Sequence, residues 1–382
     1  MRKMVSILLI LSLGLISACY DKTPDDNKDP DDDPITTTYQ LNFHQDDQSI
    51  VTFDLKNDVK ITIPEAKTKE GYTFVGWYIS NRYQQPFNKD SETLLTTKAN
   101  IDVYPRYIQD YVLKPVSEKK TYVMPTGGYG QATIDGGYEL GLTEVTAGLY
   151  FEVYEYAKAN GYSFAKGKAG SYVFGSNDKV RLFEPVVDVN LIDAILFSNA
   201  YSEMMGLIPV YYDAEGNVLK KVDDSLQALN GLVIDDQGGF RLPTSNEWEF
   251  AARRVPSEQT YTITLQDHFY IPYDFLSGAT LDTSDLDEHH LIAWVYGGAY
   301  PDQPKTMNVG LKQANHLGFF DMSGNVREWT ITTNSGPNGG FNTVTRGGSY
   351  QSLRKDAAAG FSFSLDSITR MEDIGFRLAR TT

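Results

Sequence analysis

Residues 239–253 read Gly-Phe-Arg-Leu-Pro-Thr-Ser-Asn-Glu-Trp-Glu-Phe-Ala-Ala-Arg and carry the most specific structural signal in this chain of 382 residues. Thr244 precedes Glu247 at the spacing of a capping box, in which the cap side chain and the glutamate each accept the other residue's backbone N–H. Apolar and aromatic residues follow at helical spacing. The stretch therefore predicts a helix that begins directly after Thr244.

Two further helices are predicted upstream. Residues 151–160 carry apolar side chains at helical spacing and stop before Gly161, a residue type that often follows a helix C-terminus. Residues 191–204 form an amphipathic pattern after a polar start at Asn190, and Gly206 follows them. The remainder is rich in glycine and turn residues. We therefore expect an α+β domain with many loops.

Six more motifs accompany residues 239–253. They are Gly-Leu-Thr-Glu-Val-Thr at 141–146, Pro-Val-Val-Asp-Val at 185–189, Gly-Leu-Ile-Pro-Val-Tyr at 206–211, Asn-His-Leu-Gly-Phe-Phe-Asp-Met-Ser-Gly-Asn-Val-Arg-Glu-Trp at 315–329, Arg-Gly-Gly-Ser-Tyr at 346–350 and Gly-Phe-Arg-Leu-Ala at 375–379. In this order the motifs resemble the formylglycine-generating enzyme, or sulfatase-modifying factor, family. The resemblance implies one C-type lectin-like domain over residues 119–382.

The resemblance also bears on copper. In enzymes of that family, two cysteines after the Gly-Gly-Ser-Tyr-type motif bind copper and oxidise a substrate cysteine, because thiolates are the soft ligands that select Cu(I). Aligned from Gly347, those positions fall on Ser352 and Ala357, and the only cysteine of the chain is Cys19. We therefore expect no copper and a domain that is not catalytic. The alternative is an enzyme of this family with non-copper chemistry.

The remaining histidine and charged residues do not indicate another kind of metal centre or catalytic site. His289 and His290 are adjacent, and neighbouring side chains point about 100° apart on a helix and to opposite faces of a strand. We interpret them as a polar surface pair in a loop over 282–290. Four charged residues lie in motifs that act as scaffold in the family, so we assign no catalysis to them: Arg241, Glu247, Glu249 and Arg377.

Calcium is the cofactor that the resemblance leaves open. The family's structural calcium site corresponds here to the side chains of Asp321 and Glu328 with the backbone carbonyls of Gly324 and Val326. Hard oxygen ligands on a tight turn suit Ca²⁺. The other interpretation is that these residues only cap and brace the turn.

Residues 39–110 predict a separate small β module. Three runs alternate with a period of two between turn residues, at 39–43, 50–53 and 59–64. Together with Gly-Tyr-Thr-Phe-Val-Gly-Trp-Tyr at 71–78, the stretch resembles the Listeria–Bacteroides repeat of internalin-type surface proteins, a β-grasp-like unit. We interpret Trp77 and Tyr78 as packing residues of a spacer or adhesion module rather than as a ligand platform. A proline-containing linker over 113–119 is expected to join it to the large domain.

The N-terminus resembles a lipoprotein signal. A basic start precedes an apolar run that ends at Ile16, shorter than the roughly 20 residues that a spanning helix needs. Small residues then lead to Cys19, as in the bacterial lipobox. We predict removal of residues 1–18 and acylation of Cys19. The protein is therefore expected outside the cytoplasm, lipid-anchored to the cell membrane or cell surface.

Residues 19–38 are predicted to form an acidic, disordered tether. Between positions 21 and 34 there are seven Asp against two Lys and no apolar residue, so burial cannot offset the ordering entropy. A calcium loop is the sharper interpretation, but this segment lacks the Gly and Glu at the spacing that such a loop requires. The chain as a whole carries a formal charge of −16 without a Lys/Arg cluster, which argues against a nucleic-acid partner.

These features favour a surface-displayed binding protein whose ligand is an extracellular protein, peptide or glycan. The same scaffold serves variable proteins of diversity-generating retroelements, in which variation is concentrated between the Gly-Gly-Ser motif and the last Gly-Phe-Arg. A template repeat and a reverse transcriptase gene nearby would identify such a gene. The candidate ligand-binding residues are Tyr350, Gln351, Ser352, Leu353, Arg354, Asp356, Phe361 and Phe363.

Overall fold

A computed structural model describes residues 39–55, 61–79, 85–87, 99–117, 121–126, 130–171, 181–223, 225, 227–281, 286–296, 305–335 and 341–382. By its internal contacts the chain divides into two compact units, one formed by Met1–Glu65 with Tyr78–Tyr104 and the other by Ala66–Trp77 with Pro105–Thr382. The predicted signal segment, Cys19 and the acidic tether lie outside the described residues. Within the described ranges, the helices are too short or too polar to cross a bilayer.

The N-terminal part of the chain is built of short strands. In the first hairpin, Tyr39 pairs with Leu55 and His44 with Ile50. Residues 41–43 of the same strand also pair in parallel with residues 101–103. Phe43 is fully buried, as expected for the inward side of an alternating strand. The strands are β1 (Tyr39–His44), β2 (Ile50–Leu55), β3 (Tyr72–Ile79), β4 (Gln85–Pro86) and β5 (Ile101–Gln109).

Two predictions for this part have different outcomes. Trp77 is only 7% exposed, which confirms it as a packing residue, and Tyr78 is half-buried. The predicted strand over 59–64 is wrong in its described part, because residues 61–64 are not in a strand.

In its described residues, the large unit mixes four helices with many short strands. Its helices are α1 (Ala147–Ala159), α2 (Leu191–Met204), α3 (Ser245–Arg253) and α4 (Leu286–Ile292), and a 3₁₀ turn spans Arg354–Ala357. Its strands are β6 (Leu113–Ser117), β7 (Tyr122–Pro125), β8 (Gln131–Ile134), β9 (Tyr138–Gly141), β10 (Lys168–Ala169), β11 (Val186–Val187), β12 (Tyr211–Tyr212), β13 (Val233–Ile234), β14 (Arg254–Val255), β15 (Ile263–Leu265), β16 (His268–Tyr270), β17 (Arg327–Ser335), β18 (Phe341–Arg346), β19 (Ser362–Asp366), β20 (Ile374–Gly375) and β21 (Ala379–Thr381).

The segment predicted as a linker is instead a strand of this unit. β6 pairs antiparallel with β9, with Leu113 opposite Gly141, and β9 also pairs with the C-terminal strand β21. The prediction rested on Pro115, but proline is compatible with an edge strand. β6 is such an edge, since the order of the sheet is β21-β9-β6.

The structure contains the three predicted helices. One of them, α1, begins earlier than predicted, and another, α2, is more deeply buried than predicted. α1 begins earlier than predicted, after the cap Thr146, and ends before Gly161 at a φ of 84°. α2 has the predicted bounds and a capping box between Asn190 and Asp193, yet it is not amphipathic, because 12 of its 14 residues are buried. α3 begins at the predicted box of Thr244 and Glu247.

A four-stranded sheet, in the order β19-β18-β17-β20, positions the loops at the C-terminal end of the chain. Trp329 on β17 is fully buried and donates from Nε1 to the carbonyl of Val189, which precedes α2. Tyr150 of α1 stacks on Phe197 of α2 with ring centroids 4.9 Å apart. This aromatic core packs beneath the sheet, and β18 ends inside the fold, since Arg346 is only 6% exposed.

Candidate functional site

The chain turns sharply where β18 ends. Gly347 and Gly348 have φ values of 84° and 64°, in the left-handed region that favours glycine. A Cβ atom on Gly348 would lie 2.8 Å from the Cβ of Ala357. The following loop therefore folds back over this turn.

Two serines hold the loop in that path. Ser349 donates from Oγ to Oδ2 of Asp373 (2.7 Å) and from its N–H to Oγ of Ser352 (2.9 Å). Ser352 is 5% exposed and Ala357 is fully buried. These are the two positions to which the family resemblance assigns the copper-binding cysteines. A hydroxyl that accepts a backbone hydrogen bond and a methyl group do not supply the thiolates that select Cu(I).

Beyond the turn, large apolar side chains face solvent. Leu353, Phe361 and Phe363, all predicted ligand-binding residues, are 50%, 38% and 46% exposed. Leu353 and Phe361 lie between β18 and β19, and Phe363 lies on β19. Scattered exposed apolar residues are normal, but a group of them in one segment is typical of an interaction surface.

Two tyrosines that sequence reasoning missed extend this surface. The N–H of Tyr296 donates to the carbonyl of Ser352 (2.9 Å), and the N–H of Gly360 donates to the carbonyl of Tyr273 (2.8 Å). Both tyrosine side chains are about half exposed. The only signal in the sequence is its richness in tyrosine, with 25 residues. We call the combined surface the loop face, formed by Tyr273, Tyr296, Leu353, Phe361 and Phe363.

The other predicted ligand-binding residues differ in exposure. Gln351 is exposed, whereas Arg354 and Asp356 are half-buried. Tyr350 is 5% exposed; its hydroxyl accepts from Nε2 of Gln351 (2.8 Å) and its N–H donates to the carbonyl of Asn325 (2.9 Å). The structure therefore places Tyr350, like Ser352, beneath the loop and not on its surface.

A buried ion pair ties the motifs together under the site. Arg377 and Glu328 are both fully buried, and Nε and Nη2 of the arginine each lie 2.6 Å from a carboxylate oxygen. Nε1 of Trp248 donates to the same carboxylate at 2.7 Å. Two planar hydrogen bonds of this kind fix geometry strongly. Arg241 similarly forms two hydrogen bonds with Glu247, at 2.8 and 2.7 Å.

The proposed calcium ligands fit that ion poorly. Both oxygens of Glu328 already accept hydrogen bonds from Arg377, so a cation would have to displace the guanidinium. Asp321 uses Oδ2 to accept the N–H of Gly310 at 2.6 Å, while its Oδ1 has no hydrogen-bond partner in the described part of the chain. Calcium prefers at least six oxygen ligands. The calcium assignment of Asp321, Gly324, Val326 and Glu328 stays a prediction.

Asp321 belongs to a group of buried acids. Burial raises its pKa from 3.8 to about 6. Glu144 is fully buried, and burial together with the negative charges of Asp321 and Glu328 holds the pKa of Glu144 well above its usual range. An acid in such a position favours its protonated form.

The interpretation of the histidine pair as a surface loop is wrong. Both residues lie on α4, and the side chain of His289 is only 1% exposed. The helix places His289 in the interior and leaves His290 half-buried. In the described ranges, no cluster of three or more His, Cys, Asp or Glu side chains could hold a metal ion.

A cleft of about 460 Å³ lies elsewhere on the large unit, between segment 163–167 and the start of α2. Arg370 lines it and pairs through Nε with Oδ2 of Asp193 at 2.8 Å. The same aspartate accepts the N–H of Ala165 at 2.8 Å. These contacts pair Asp193 with two groups of the same unit.

Comparison with known proteins assigns the fold and the family. Residues 118–382 match the model of the sulfatase-modifying factor enzyme 1-like domain, and residues 39–105 match that of the Listeria-Bacteroides repeat domain. The chain therefore belongs to the sulfatase-modifying factor enzyme 1-like family and carries one such repeat. Its mixed α+β architecture is the C-type lectin-like fold of that family, as predicted.

Particular relatives extend the comparison. The chain is 30% identical over 205 residues to a protein of Paenibacillus barcinonensis named Chaperone protein LppX, a match that covers 52% of this chain and 70% of the relative. The crystal structure of CarF is 26% identical, with a TM-score of 0.57 over 72% of this chain and 99% of CarF. Treponema denticola variable protein 1 is also 26% identical, with a TM-score of 0.52 over 71% of this chain and 95% of that protein.

Proposed function

We propose that this chain is a lipid-anchored, extracytoplasmic binding protein, and that its large domain is a non-catalytic module that engages its ligand through the loop face. The observation that carries the proposal is the exposure of Leu353, Phe361 and Phe363 in the segment after the Gly347-Gly348 turn, which buried hydrogen bonds of Ser349 hold in place. Binding residues commonly lie on loops that a rigid scaffold positions. Exposed aromatic and aliphatic side chains supply the buried contact area at an interface core.

The relatives support a binding role. Of the three relatives reported, one is named a chaperone and another a variable protein, and neither of these names describes a chemical reaction. The second name also supports the hypothesis that residues between the Gly-Gly-Ser turn and the last Gly-Phe-Arg are diversified. Ser352 and Ala357 further support a module without copper chemistry, because they occupy the positions of the family's cysteines.

The loop face makes a prediction that a binding screen can test. Glycan arrays and purified surface proteins provide the probes for the mature chain. The double substitution Leu353→Ser and Phe361→Ser is expected to weaken any ligand found there by about tenfold or more, since it removes two apolar contacts from the centre of the surface. Surface plasmon resonance with the purified variant measures the change.

Ile208→Ser is the matched control, because Ile208 is 49% exposed and lies outside the loop face. It is expected to leave affinity unchanged. Equal affinity of the double variant and the wild type would reject the loop face as the binding surface. Stoichiometric iron or copper in the purified protein, with oxygen uptake on cysteine-containing peptides, would instead favour an enzyme.

The lipid anchor gives a separate prediction. Cys19→Ser removes the only thiol, so acylation at that position becomes impossible. The variant is expected to carry no acyl chain at position 19 and to keep residues 1–18, because the cysteine completes the motif at which this segment is removed. Fractionation followed by mass spectrometry of the N-terminal peptide measures this. A wild-type N-terminal peptide that includes Cys19 but carries no acyl mass would contradict the anchor.

A further inference from the structure

The strand that follows the loop face lies at the edge of its sheet. β19 pairs antiparallel with β18, from Ser362 opposite Arg346 to Asp366 opposite Asn342. The order of the sheet is β19-β18-β17-β20. Among the strands of the described ranges, none therefore pairs with the other side of β19.

Two hydrogen bonds show which backbone groups face outward. Oγ1 of Thr345 donates to the carbonyl of Phe363 (3.1 Å), so that carbonyl points toward β18, whereas the carbonyl of Asp366 accepts from Thr369 beyond the strand (2.9 Å). In an antiparallel pair, the N–H and C=O of one residue point to the same side, and the side alternates along the strand. Ser362 and Ser364 therefore direct both backbone groups away from β18.

This edge lacks the usual protection against pairing. Natural edge strands carry proline, lysine, bulges or inward-pointing charges that discourage the addition of another strand. β19 reads Ser-Phe-Ser-Leu-Asp, with its one charge at the last position. Ser362, Phe363, Ser364 and Asp366 are all exposed. With respect to the strands of the described ranges, β19 thus offers unpaired main-chain donors and acceptors beside the loop face.

We propose that the free edge of β19 binds an extended polypeptide by strand addition. This inference rests on the proposed function and names its ligand class, a polypeptide rather than a glycan. The spaced N–H and C=O groups of Ser362 and Ser364 match the main chain of another strand, and such hydrogen bonds supply affinity while alternate side chains supply specificity. The added strand places an apolar side chain beside Phe363, which is 46% exposed.

The negative charge of this protein indicates the charge that the bound peptide should carry. Asp366 is exposed at the end of β19, and the chain carries a formal charge of −16. A positive side chain on the incoming strand would meet Asp366, and the net charge would steer a basic segment toward the protein. The ligand class is therefore an extended peptide that alternates apolar and polar residues and carries a basic residue where it meets Asp366.

Substitutions at one position separate the backbone from the side chain. Ser364→Pro removes an outward N–H but no hydrogen bond to β18, whereas Ser364→Ala keeps that N–H and removes only the hydroxyl. The probe is a fluorescent pool of heptapeptides that alternate Val or Phe with Thr and carry Lys at both ends. For the full mature chain, Ser364→Pro is expected to weaken binding by about tenfold, and Ser364→Ala to leave it unchanged. Fluorescence anisotropy measures both affinities, and urea unfolding checks that each variant is folded.

Hydrogen exchange gives an independent readout, since saturating peptide should protect the amides of Ser362 and Ser364 in the wild type. No binding at millimolar peptide, or equal binding by Ser364→Pro and the wild type, would overturn the strand-addition inference. If a ligand from the binding screen is lost in the Leu353→Ser and Phe361→Ser variant but not in Ser364→Pro, only the inference fails. If neither variant affects a ligand, the proposed function of the loop face fails as well.

Discussion

Arg377→Met is expected to abolish stable folding of the large unit. The guanidinium is fully buried and forms two hydrogen bonds with Glu328. It also donates to the carbonyls of Gly141 and Phe320, each at 2.9 Å. Methionine fills similar volume but satisfies none of these groups. The substitution therefore leaves a buried carboxylate with Trp248 as its remaining donor among the contacts of this network.

The magnitude follows from the uncompensated charge. Removal of one partner of a buried ion pair costs about 3–5 kcal/mol, and each orphaned carbonyl adds roughly 1–3 kcal/mol. Native domains are stable by only about 5–15 kcal/mol. The expected loss is therefore comparable to the whole free energy of unfolding. Urea unfolding monitored by tryptophan fluorescence measures the midpoint.

Two controls separate the buried charge from other effects. The double substitution Arg377→Met with Glu328→Leu removes both charges and is expected to recover part of the stability, since apolar replacements of buried pairs are often tolerated. Lys158→Met removes a surface ion pair with Glu155 whose side chains are 54% and 50% exposed, and it is expected to change stability by less than about 1 kcal/mol. An unfolding midpoint of Arg377→Met equal to that of the wild type would refute the argument.

Local signals were sufficient to predict three of the four helices that the structure describes, and they missed α4. The capping box of Thr244 and Glu247 needs only residues three apart, and the structure shows both of its hydrogen bonds. The end of α1 before Gly161 is equally local. The burial of α2 on nearly all sides is not local, because it depends on aromatic residues such as Phe376, whose ring centroid lies 5.3 Å from that of Phe197.

Long-range pairing explains the errors. Residues 113–117 look like a linker in isolation, and they become a strand because β9, more than 20 residues later, presents a partner edge. The loop face has the same origin. Tyr273 and Tyr296 are distant from residues 350–363 in sequence, and backbone hydrogen bonds to Gly360 and Ser352 bring them together. No period or motif in a single sequence encodes such contacts.

The family motifs predict part of this long-range organisation. Glu328 and Arg377 stand 49 residues apart, in two different motifs, and the resemblance was sufficient to interpret the arginine as scaffold. It could not indicate that the carboxylate of Glu328 is fully used by Arg377 and Trp248. Only the hydrogen bonds seen in the structure show that most side-chain oxygens of the predicted calcium ligands already have a donor.

Asp321→Asn is expected to stabilise the protein at neutral pH, which is unusual for a buried substitution. Burial raises the pKa of Asp321 from 3.8 to about 6, so the folded state holds a proton that the unfolded state loses first. Asparagine stays neutral at every pH. Its amide oxygen can accept the N–H of Gly310, and asparagine tolerates the φ of 54° found here.

The sign follows from proton linkage. Between pH 3.8 and about 6 the folded protein binds more protons than the unfolded chain, so the wild type loses stability as the pH rises through this window. Above pH 6, the loss of unfolding free energy that corresponds to the whole pKa shift is about 3 kcal/mol at most. The variant's advantage should vanish below the window and be largest above it. Urea unfolding at several pH values in EDTA measures the difference.

Asp267→Asn is the matched control, because Asp267 has a similar φ of 60° and an exposed side chain. It is expected to change stability by less than about 0.5 kcal/mol at any pH. A repeat with added calcium makes the experiment decisive for the cofactor. A calcium ion bound at Asp321 would stabilise the wild type through its carboxylate and reverse the order of the two proteins. If the order holds in calcium, Asp321 acts as a buried acid, and the tight turn after it is braced by hydrogen bonds alone.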